Sequence, residues 1–184
     1  MNANPRILLA CAATFALFGC ASPAPTAPSP GPAASSALSA AFGGTDRSWI
    51  EINIAMDEEL LPLLSMAATN SADSAVQQLA VQVRAVIDDE LSTLRQLHAE
   101  AGLPAENPHK GMPMPGLVTP SQLAEAGGQR GPRFDETLRE CLRAHLEQSL
   151  QLAGSERTAG SEPRTVALAE RISTSREKFL QSLD

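Results

Sequence analysis

The chain has few aromatic residues, which make up 3% of its 184 residues and include one Trp and no Tyr. A hydrophobic core must therefore be built from Leu, Ala, Val, Ile and Met, a mixture that suits helices better than sheets. The hydrophobic fraction of 43% is enough for one modest domain once targeting and linker segments are removed. The composition therefore favours an all-α fold.

Charge is nearly absent from the first 45 residues, where Arg6 is the only charged side chain. The apolar run over residues 7–18 that follows is too short to remain as a membrane-spanning helix. It ends in "LFGC", which resembles the lipobox read by the lipoprotein-processing peptidase. We therefore predict a lipoprotein signal peptide over residues 1–19 and lipidation of Cys20. The alternative is an ordinary signal peptide with an incidental cysteine.

Residues 20–44 carry no charge and are rich in Pro, Ala and Ser. Such a segment cannot bury enough apolar surface to fold, so we predict a lipidated cysteine followed by a disordered linker. Ala21 follows the cysteine where Asp would favour retention at the inner membrane. The sequence thus predicts a protein of the bacterial cell envelope, lipid-anchored, facing the periplasm and held in the outer membrane.

Positive charge is also scarce in the predicted domain, residues 45–184, which holds 13 Lys and Arg against 21 Asp and Glu, a net charge of -8. This acidity argues against nucleic acid as a partner and leaves the membrane, through the lipid anchor, and an envelope protein. Cysteine is scarce as well. After removal of the signal peptide and lipidation of Cys20, Cys141 cannot form an intramolecular disulfide, so it is either buried or a reactive thiol.

From Asp46 onwards, apolar residues at helical spacing predict four helices. We place the first at 46–68, with a kink at Pro62, and the others at 71–101, about 133–154 and 162 or 163 to 183. Between the second and third lies a loop rich in Pro, Gly and Met. It is followed by "TPSQLAEAG", in which Thr119 and Pro120 are typical of a helix start.

The two halves of the domain resemble each other. "ELLPLLSMA" at 59–67 matches "HLEQSLQLA" at 145–153, and "LAVQVRAVIDDEL" at 79–91 matches "LAERISTSREKFL" at 168–180. A helical hairpin alone leaves its apolar faces exposed. The repeat therefore predicts two like hairpins that close into a four-helix bundle.

Three segments, "GLVTPSQLAEA", "RFDETLRECLRAHL" and "LAVQVRAVIDDEL", resemble domain-of-unknown-function family 305. The resemblance extends over residues 45–183 and implies an exported, ferritin-like four-helix protein, in a family with some members linked to copper or silver binding. It also implies a His-His pair in the first helix of each hairpin. These pairs fall on Glu59 and Leu60 and on His145 and Leu146, so only His145 keeps the family's histidine.

Cys141 and His145 stand one helical turn apart, so their side chains can point to one spot. A thiolate and an imidazole suit Cu(I) or Zn, and Glu59, in the equivalent position of the first hairpin, is the expected third ligand. An ion pair or hydrogen bond between His145 and Glu59 would satisfy both groups without a metal. Exposure to solvent is the third alternative.

The loop segment "PHKGMPMPG" offers a second candidate set, His109, Met112 and Met114, with His98 as an additional ligand. Thioethers select soft Cu(I) or Ag(I). Methionines in such a loop also cap the end of a hydrophobic core, and this alternative stays open.

Signatures of catalysis are missing. The four predicted helices contain no Glu-x-x-His, which a di-iron site needs, and the chain has no G-x-S-x-G. We therefore predict that the protein is not an enzyme and has no catalytic or cofactor-binding residues. Its predicted role is to bind or buffer copper or silver ions. The alternative is a degenerate, metal-free bundle that acts as a structural or protein-interaction module.

Overall fold

A computed structural model describes residues 41–183, and every regular element in this range is a helix. The helices are α1 (Gly44–Asn70), α2 (Ser74–Glu100), α3 (Pro120–Gly128), α4 (Pro132–Ala159) and α5 (Pro163–Leu183). The predicted all-α class is confirmed. The signal peptide 1–19, Cys20 and the linker as far as residue 40 lie outside the described residues.

Local sequence signals explain where several helices begin. The Thr119 side chain accepts a hydrogen bond from the Gln122 backbone N–H, and the Gln122 side chain accepts one from the Thr119 backbone N–H. This reciprocal capping, with Pro120 in the first turn, confirms the predicted start of α3. At the end of α2, Gly102 takes a φ of 65°, as expected for a residue just beyond a helix.

Two helices extend further than predicted. α1 continues through Pro62, which is exposed, to Asn70. α4 continues past Gly154, where the sequence predicted its end, to Ala159. Because Glu156 is fully buried and the Thr158 hydroxyl donates to the Gly154 carbonyl at 2.9 Å, tertiary and local contacts outweigh the weak helix propensity of glycine.

The four long helices surround one apolar core. Short connections make α1 and α2 neighbours, and likewise α4 and α5, while α1 also packs on α4 and α2 on α5. Short α3 lies against α1 and α4. The core draws on all five helices, with fully buried side chains that include Ile50, Leu63, Ile87, Leu94, Ala126, Leu142, Leu146, Ala169 and Ile172. None of the helices within residues 41–183 combines the length and the apolar character needed to cross a bilayer.

The crossover between α2 and α3 is fastened to the helices beneath it. Asn107 donates its side-chain amide to the Glu51 carbonyl of α1 at 2.7 Å. Further along, Gly116 has a φ of 74° and lies so close to α4 that an added Cβ would be 2.6 Å from the Ala144 carbonyl oxygen. Only glycine fits both the conformation and the space, so Gly116 fixes the loop against α4.

Candidate functional site

A cluster of ionisable side chains lies in the middle of the helices, with one residue from each long helix. Asp57 comes from α1, Glu90 from α2, His145 from α4 and Arg176 from α5. All four are buried, and the Arg176 and His145 side chains are fully inaccessible to solvent. Buried charged groups need ion-pair or hydrogen-bond partners. The distances between these four side chains therefore decide whether they satisfy one another or leave a group free to bind a ligand.

Arg176 is the cation of this cluster. Its two terminal nitrogens, Nη1 and Nη2, donate to Glu90 Oε1 and Oε2 at 3.1 and 2.7 Å, and its Nε donates to Ser149 Oγ at 3.0 Å. Nη2 also lies 3.6 Å from Asp57 Oδ1. A bidentate pair of this kind is the strongest arrangement for a buried guanidinium and carboxylate. Burial nevertheless raises the pKa of Glu90, with Arg176 opposing the shift and Asp57 adding to it.

His145 faces Asp57 in the same cluster. Its Nε2 lies 3.4 Å from Asp57 Oδ1, but no described residue offers either ring nitrogen or either Asp57 oxygen a well-aligned hydrogen bond. Burial lowers the pKa of His145, while Asp57 and the Gly116 backbone oppose the shift and Arg176 adds to it. The imidazole is therefore favoured in its neutral form at pH 7.

The carboxylate beside His145 is thus Asp57 and not the predicted Glu59. Glu59 Oε1 instead accepts a hydrogen bond from the Gly111 backbone N–H of the crossover loop at 2.8 Å. Two residues correspond to about 200° around a helix, so Asp57 and Glu59 face different sides of α1. The sequence alignment of the two halves misjudged which side of α1 faces His145.

The surroundings of His145 do not suit a metal ion. Nowhere in residues 41–183 do three His, Cys, Asp or Glu side chains come together as a metal-binding group. The Arg176 guanidinium, fully buried and 3.6 Å from Asp57 Oδ1, would also repel a metal cation bound to that carboxylate. His145, at the position where the resemblance implied a histidine pair, therefore belongs to a network that has its own cation.

Cys141 belongs to different surroundings, although it precedes His145 by one turn. Its Sγ lies 3.6 Å from Gln122 Nε2 of α3. Cys141 is also one of the residues that line a cavity of about 420 Å³ between α3, α4 and the crossover loop. Met114 lines the same cavity. Burial raises the pKa of the Cys141 thiol, and Glu140 and Glu125 add to the shift. Two sulfur-containing residues that the sequence had placed in separate candidate sites therefore line one cavity.

The other predicted loop ligands lie apart from this cavity. Met112 is 45% exposed and His109 is partly buried, and neither lines the cavity beside Cys141. His98 lines another cavity, of about 660 Å³, together with Arg95 and Lys110. Of the predicted set of His109, Met112 and Met114, Met114 alone lines the cavity beside Cys141.

Sequence reasoning missed Asp57, Glu90 and Arg176, although two of them carried a signal. Glu90 lies three residues after Ile87, and Arg176 lies four residues after Ile172, so both fall on the buried face of their helix. A charged side chain at such a position indicates a buried pair. Asp57 gave no such signal because it lies within the acidic run "DEE", which is typical of a solvated surface.

A second group of buried carboxyls lies where α1 begins and α4 gives way to α5. Asp46 accepts hydrogen bonds from the backbone N–H groups of Ser161 and Glu162, both at 3.0 Å, and from Thr165 Oγ1 at 2.8 Å. Burial alone would raise the pKa of Asp46. Hydrogen bonds, which include one from Glu156, nevertheless hold that pKa below its usual range. Burial and the bond to Asp46 raise the pKa of Glu156 to about 7. The raised pKa favours a proton on Glu156 up to about neutral pH, beside an Asp46 carboxylate that stays ionised.

Comparisons with known proteins agree with this architecture. A family described as "Domain of unknown function (DUF305)" matches residues 45–184. A DUF305 protein from Streptomyces coelicolor, described as a candidate secreted protein, has a structure similar to this one, with a TM-score of 0.68 and 15% identity over 76% of this chain and 89% of that chain. A DUF305 fragment from Deinococcus radiodurans gives a TM-score of 0.69 and 11% identity over 77% and 94%. No curated protein is significantly similar.

Proposed function

We propose that this chain, which belongs to the DUF305 family, is an exported, lipid-anchored helical protein that binds Cu(I) or Ag(I) in the cell envelope. The Streptomyces neighbour, described as a candidate secreted protein, supports export. Within the proposal, the chain forms a ferritin-like four-helix bundle of two like hairpins, catalyses no reaction and is held by Cys20 in the outer membrane.

The observation that carries the metal-binding proposal is the cavity shared by Cys141 and Met114. A thiolate and a thioether are soft ligands, and both favour Cu(I) and Ag(I) over the hard cations of the cell envelope. His145 takes no part in this proposal because its imidazole faces Asp57 in the core. The proposed site thus uses the soft-metal chemistry that the resemblance implies for some family members, but it lies on the side of α4 that faces the crossover loop.

The thiol must lose its proton before it binds a metal ion. Because burial raises the pKa of Cys141, binding releases a proton into solvent at neutral pH. Metal affinity should therefore increase as the pH rises. This dependence distinguishes a site that includes Cys141 from one built from thioethers alone, which carry no proton.

Cu(I) titration of residues 21–184 under reducing conditions tests the proposal. We expect Cu(I) to raise the melting temperature of the wild type, by an amount equivalent to about 2.7 kcal/mol at a free concentration 100 times the Kd. Cys141→Ser should abolish the shift, and Met114→Leu should weaken binding by about tenfold, which is about 1.4 kcal/mol.

Met112→Leu is the matched control because it changes a methionine of the same loop that does not line the cavity. This variant should bind Cu(I) as the wild type does. The proposal fails if the wild type binds no Cu(I), or if Met112→Leu weakens binding as much as Met114→Leu does.

One observation favours a second function, that of a metal-free structural or protein-interaction module. Arg176 supplies a cation where the four long helices meet. Its Nη1 and Nη2 each donate a hydrogen bond to one carboxylate oxygen of Glu90. A core closed in this way needs no metal to neutralise its acidic groups. A melting temperature that is unchanged by both Cu(I) and a chelator would support this function over the first.

A further inference from the structure

The start of α1 is fastened to the turn between α4 and α5 by one carboxylate. Asp46 Oδ1 accepts hydrogen bonds from the backbone N–H groups of Ser161 and Glu162, both at 3.0 Å, and from Thr165 Oγ1 at 2.8 Å. Asp46 Oδ2 accepts from the Gly43 backbone N–H at 2.6 Å and from Ser161 Oγ at 2.7 Å. Donors on both oxygens favour the ionised carboxylate. We call this set of hydrogen bonds the Asp46 latch.

The carboxyl of Glu156 lies against the Asp46 latch. Glu156 is fully buried, and no described residue offers either of its carboxyl oxygens a well-aligned hydrogen bond. The charged groups that act on this carboxyl are both acidic, Asp46 from α1 and Glu162 from the turn. A protonated Glu156 can donate a hydrogen bond to Asp46, whereas an ionised Glu156 accepts only and repels it. The latch is therefore stable when Glu156 carries its proton.

The basic side chains of the surrounding helices make other contacts. Arg164 of α5 donates its Nε to Glu162 Oε1 at 2.7 Å, and its Nη1 pairs with Glu100 at the end of α2. Arg157, the neighbour of Glu156 on α4, is exposed. These contacts direct the guanidinium groups to other carboxylates or to solvent, and they do not neutralise an ionised Glu156.

The backbone of the turn packs directly on the Glu156 carboxyl. A Cβ added at Gly160 would overlap Glu156 Oε1 and would lie 2.6 Å from the Glu156 carbonyl oxygen. An ionised carboxylate needs water or hydrogen-bond donors, because burying a bare charge is costly. On this side, water can reach an ionised Glu156 only if the turn moves away from it.

We propose that the Asp46 latch is a pH-sensitive switch, in which ionisation of Glu156 releases residues 160–162 from the start of α1 while the four long helices stay packed. Repulsion between two neighbouring carboxylates and the hydration of Glu156 both favour the open state. Burial and Asp46 raise the pKa of Glu156 to about 7, against 4.5 for an ordinary glutamate. The latch is therefore most stable below pH 4.5 and weakens progressively as the pH rises to 7.

The switch also acts on the segment that enters α1. Ser161 Oγ accepts a hydrogen bond from the Gly43 backbone N–H at 3.2 Å and lies 3.4 Å from the Ala41 carbonyl oxygen. Arg47 donates its Nε to a backbone carbonyl of the same segment at 3.3 Å. Movement of Ser161 therefore loosens residues 41–43 from the turn. Since the predicted linker joins the domain here, the switch makes its attachment to the helices depend on pH.

Hydrogen exchange of single backbone amides, followed by NMR in the wild type and in Glu156→Gln, tests the proposal. In the wild type, we expect the protection factors of the Ser161 and Glu162 amides to fall at least about tenfold from about pH 5 to pH 7, because ionisation of Glu156 favours the open state. Gln cannot ionise, so these protection factors should stay constant in the variant. At every pH, the amide of Ile87, fully buried in the middle of α2, should be protected at least about tenfold more, since it exchanges only when the helices unfold.

Glu147→Gln is the matched control, because it removes an exposed carboxyl from the same helix. It should give the protection factors of the wild type at each pH. Protection of Ser161 and Glu162 that does not fall in the wild type, or that falls as much in Glu156→Gln, would overturn the proposal. So would protection of these amides equal to that of Ile87, since the turn would then open only when the whole protein unfolds.

Discussion

At the residue scale, the two buried acid clusters differ in how their charge is balanced. Glu90 and Asp57 have the Arg176 guanidinium beside them, at 2.7 and 3.6 Å. For Glu156 beside Asp46, the raised pKa of Glu156 favours a proton on its carboxyl at neutral pH and below. The first cluster thus depends on a permanent cation, and the second depends on pH.

Replacing Glu156 by Gln should make the protein more stable than the wild type at high pH. The pKa of Glu156 is about 7 in the folded protein against 4.5 for an ordinary glutamate, so the folded state holds a proton that the unfolded state releases. The stabilisation is complete below pH 4.5 and is lost as the pH rises through 7, by about 3 kcal/mol in all. Gln cannot ionise, and its side-chain amide can donate a hydrogen bond to the Asp46 carboxylate.

Urea denaturation across the pH range from 4 to about 9 measures this effect as the difference between variant and wild type. The difference in unfolding free energy should favour Glu156→Gln increasingly as the pH rises through 7. Glu147→Gln, at an exposed position of the same helix, is the control. A difference that does not vary with pH would show that the pKa of Glu156 is not raised in the folded protein.

At the element scale, sequence patterns predicted the helices well where local chemistry sets their ends. Thr119 and Pro120 set the start of α3, and Pro163 sets that of α5. The prediction failed for the end of α4, where the burial of Glu156 outweighs the local signal of Gly154. Helix ends that depend on distant contacts are not visible in the neighbouring sequence.

The same limit applies to the candidate site. Cys141 was recognised as a soft ligand, and so was Met114, but 27 residues of chain separate them. The two residues line one cavity because the crossover loop packs on α4 at Gly116. The spacing of residues along a helix does not predict this packing. His145 was recognised as well, and its carboxylate partner was placed two residues away from the residue that the structure shows.

Replacing Gly116 by Ala should destabilise the protein by about 1 to 3 kcal/mol, because a Cβ there meets the Ala144 carbonyl and Gln148 Cβ, both at 2.6 Å, and φ is 74°. Gly111→Ala is a close control. Gly111 has a similar φ of 72°, but an added Cβ would meet nothing within 4 Å. Its cost should be limited to the backbone strain, about 1 kcal/mol. Equal losses of unfolding free energy in the two variants would mean that the loop is not fixed on α4 at Gly116.

At the scale of the whole molecule, the fold separates three regions of different chemistry. The centre of the helices is closed by the Asp57–Arg176 network, Cys141 of α4 and Met114 of the crossover loop line one cavity, and the first hairpin carries an apolar groove near its turn. Composition predicted the helical class and the acidity. Composition could not predict that these three regions would be separate, because their positions depend on how the helices pack.

X-ray absorption of the Cu(I)-loaded protein, residues 21–184, tests the proposed site most directly. We predict sulfur neighbours from Cys141 and Met114 and no imidazole nitrogen, because the His145 ring is buried against Asp57. Loss of one sulfur neighbour in Met114→Leu would complete the assignment. A spectrum dominated by imidazole nitrogen, unchanged in Cys141→Ser, would contradict it and would place the metal ion at a histidine.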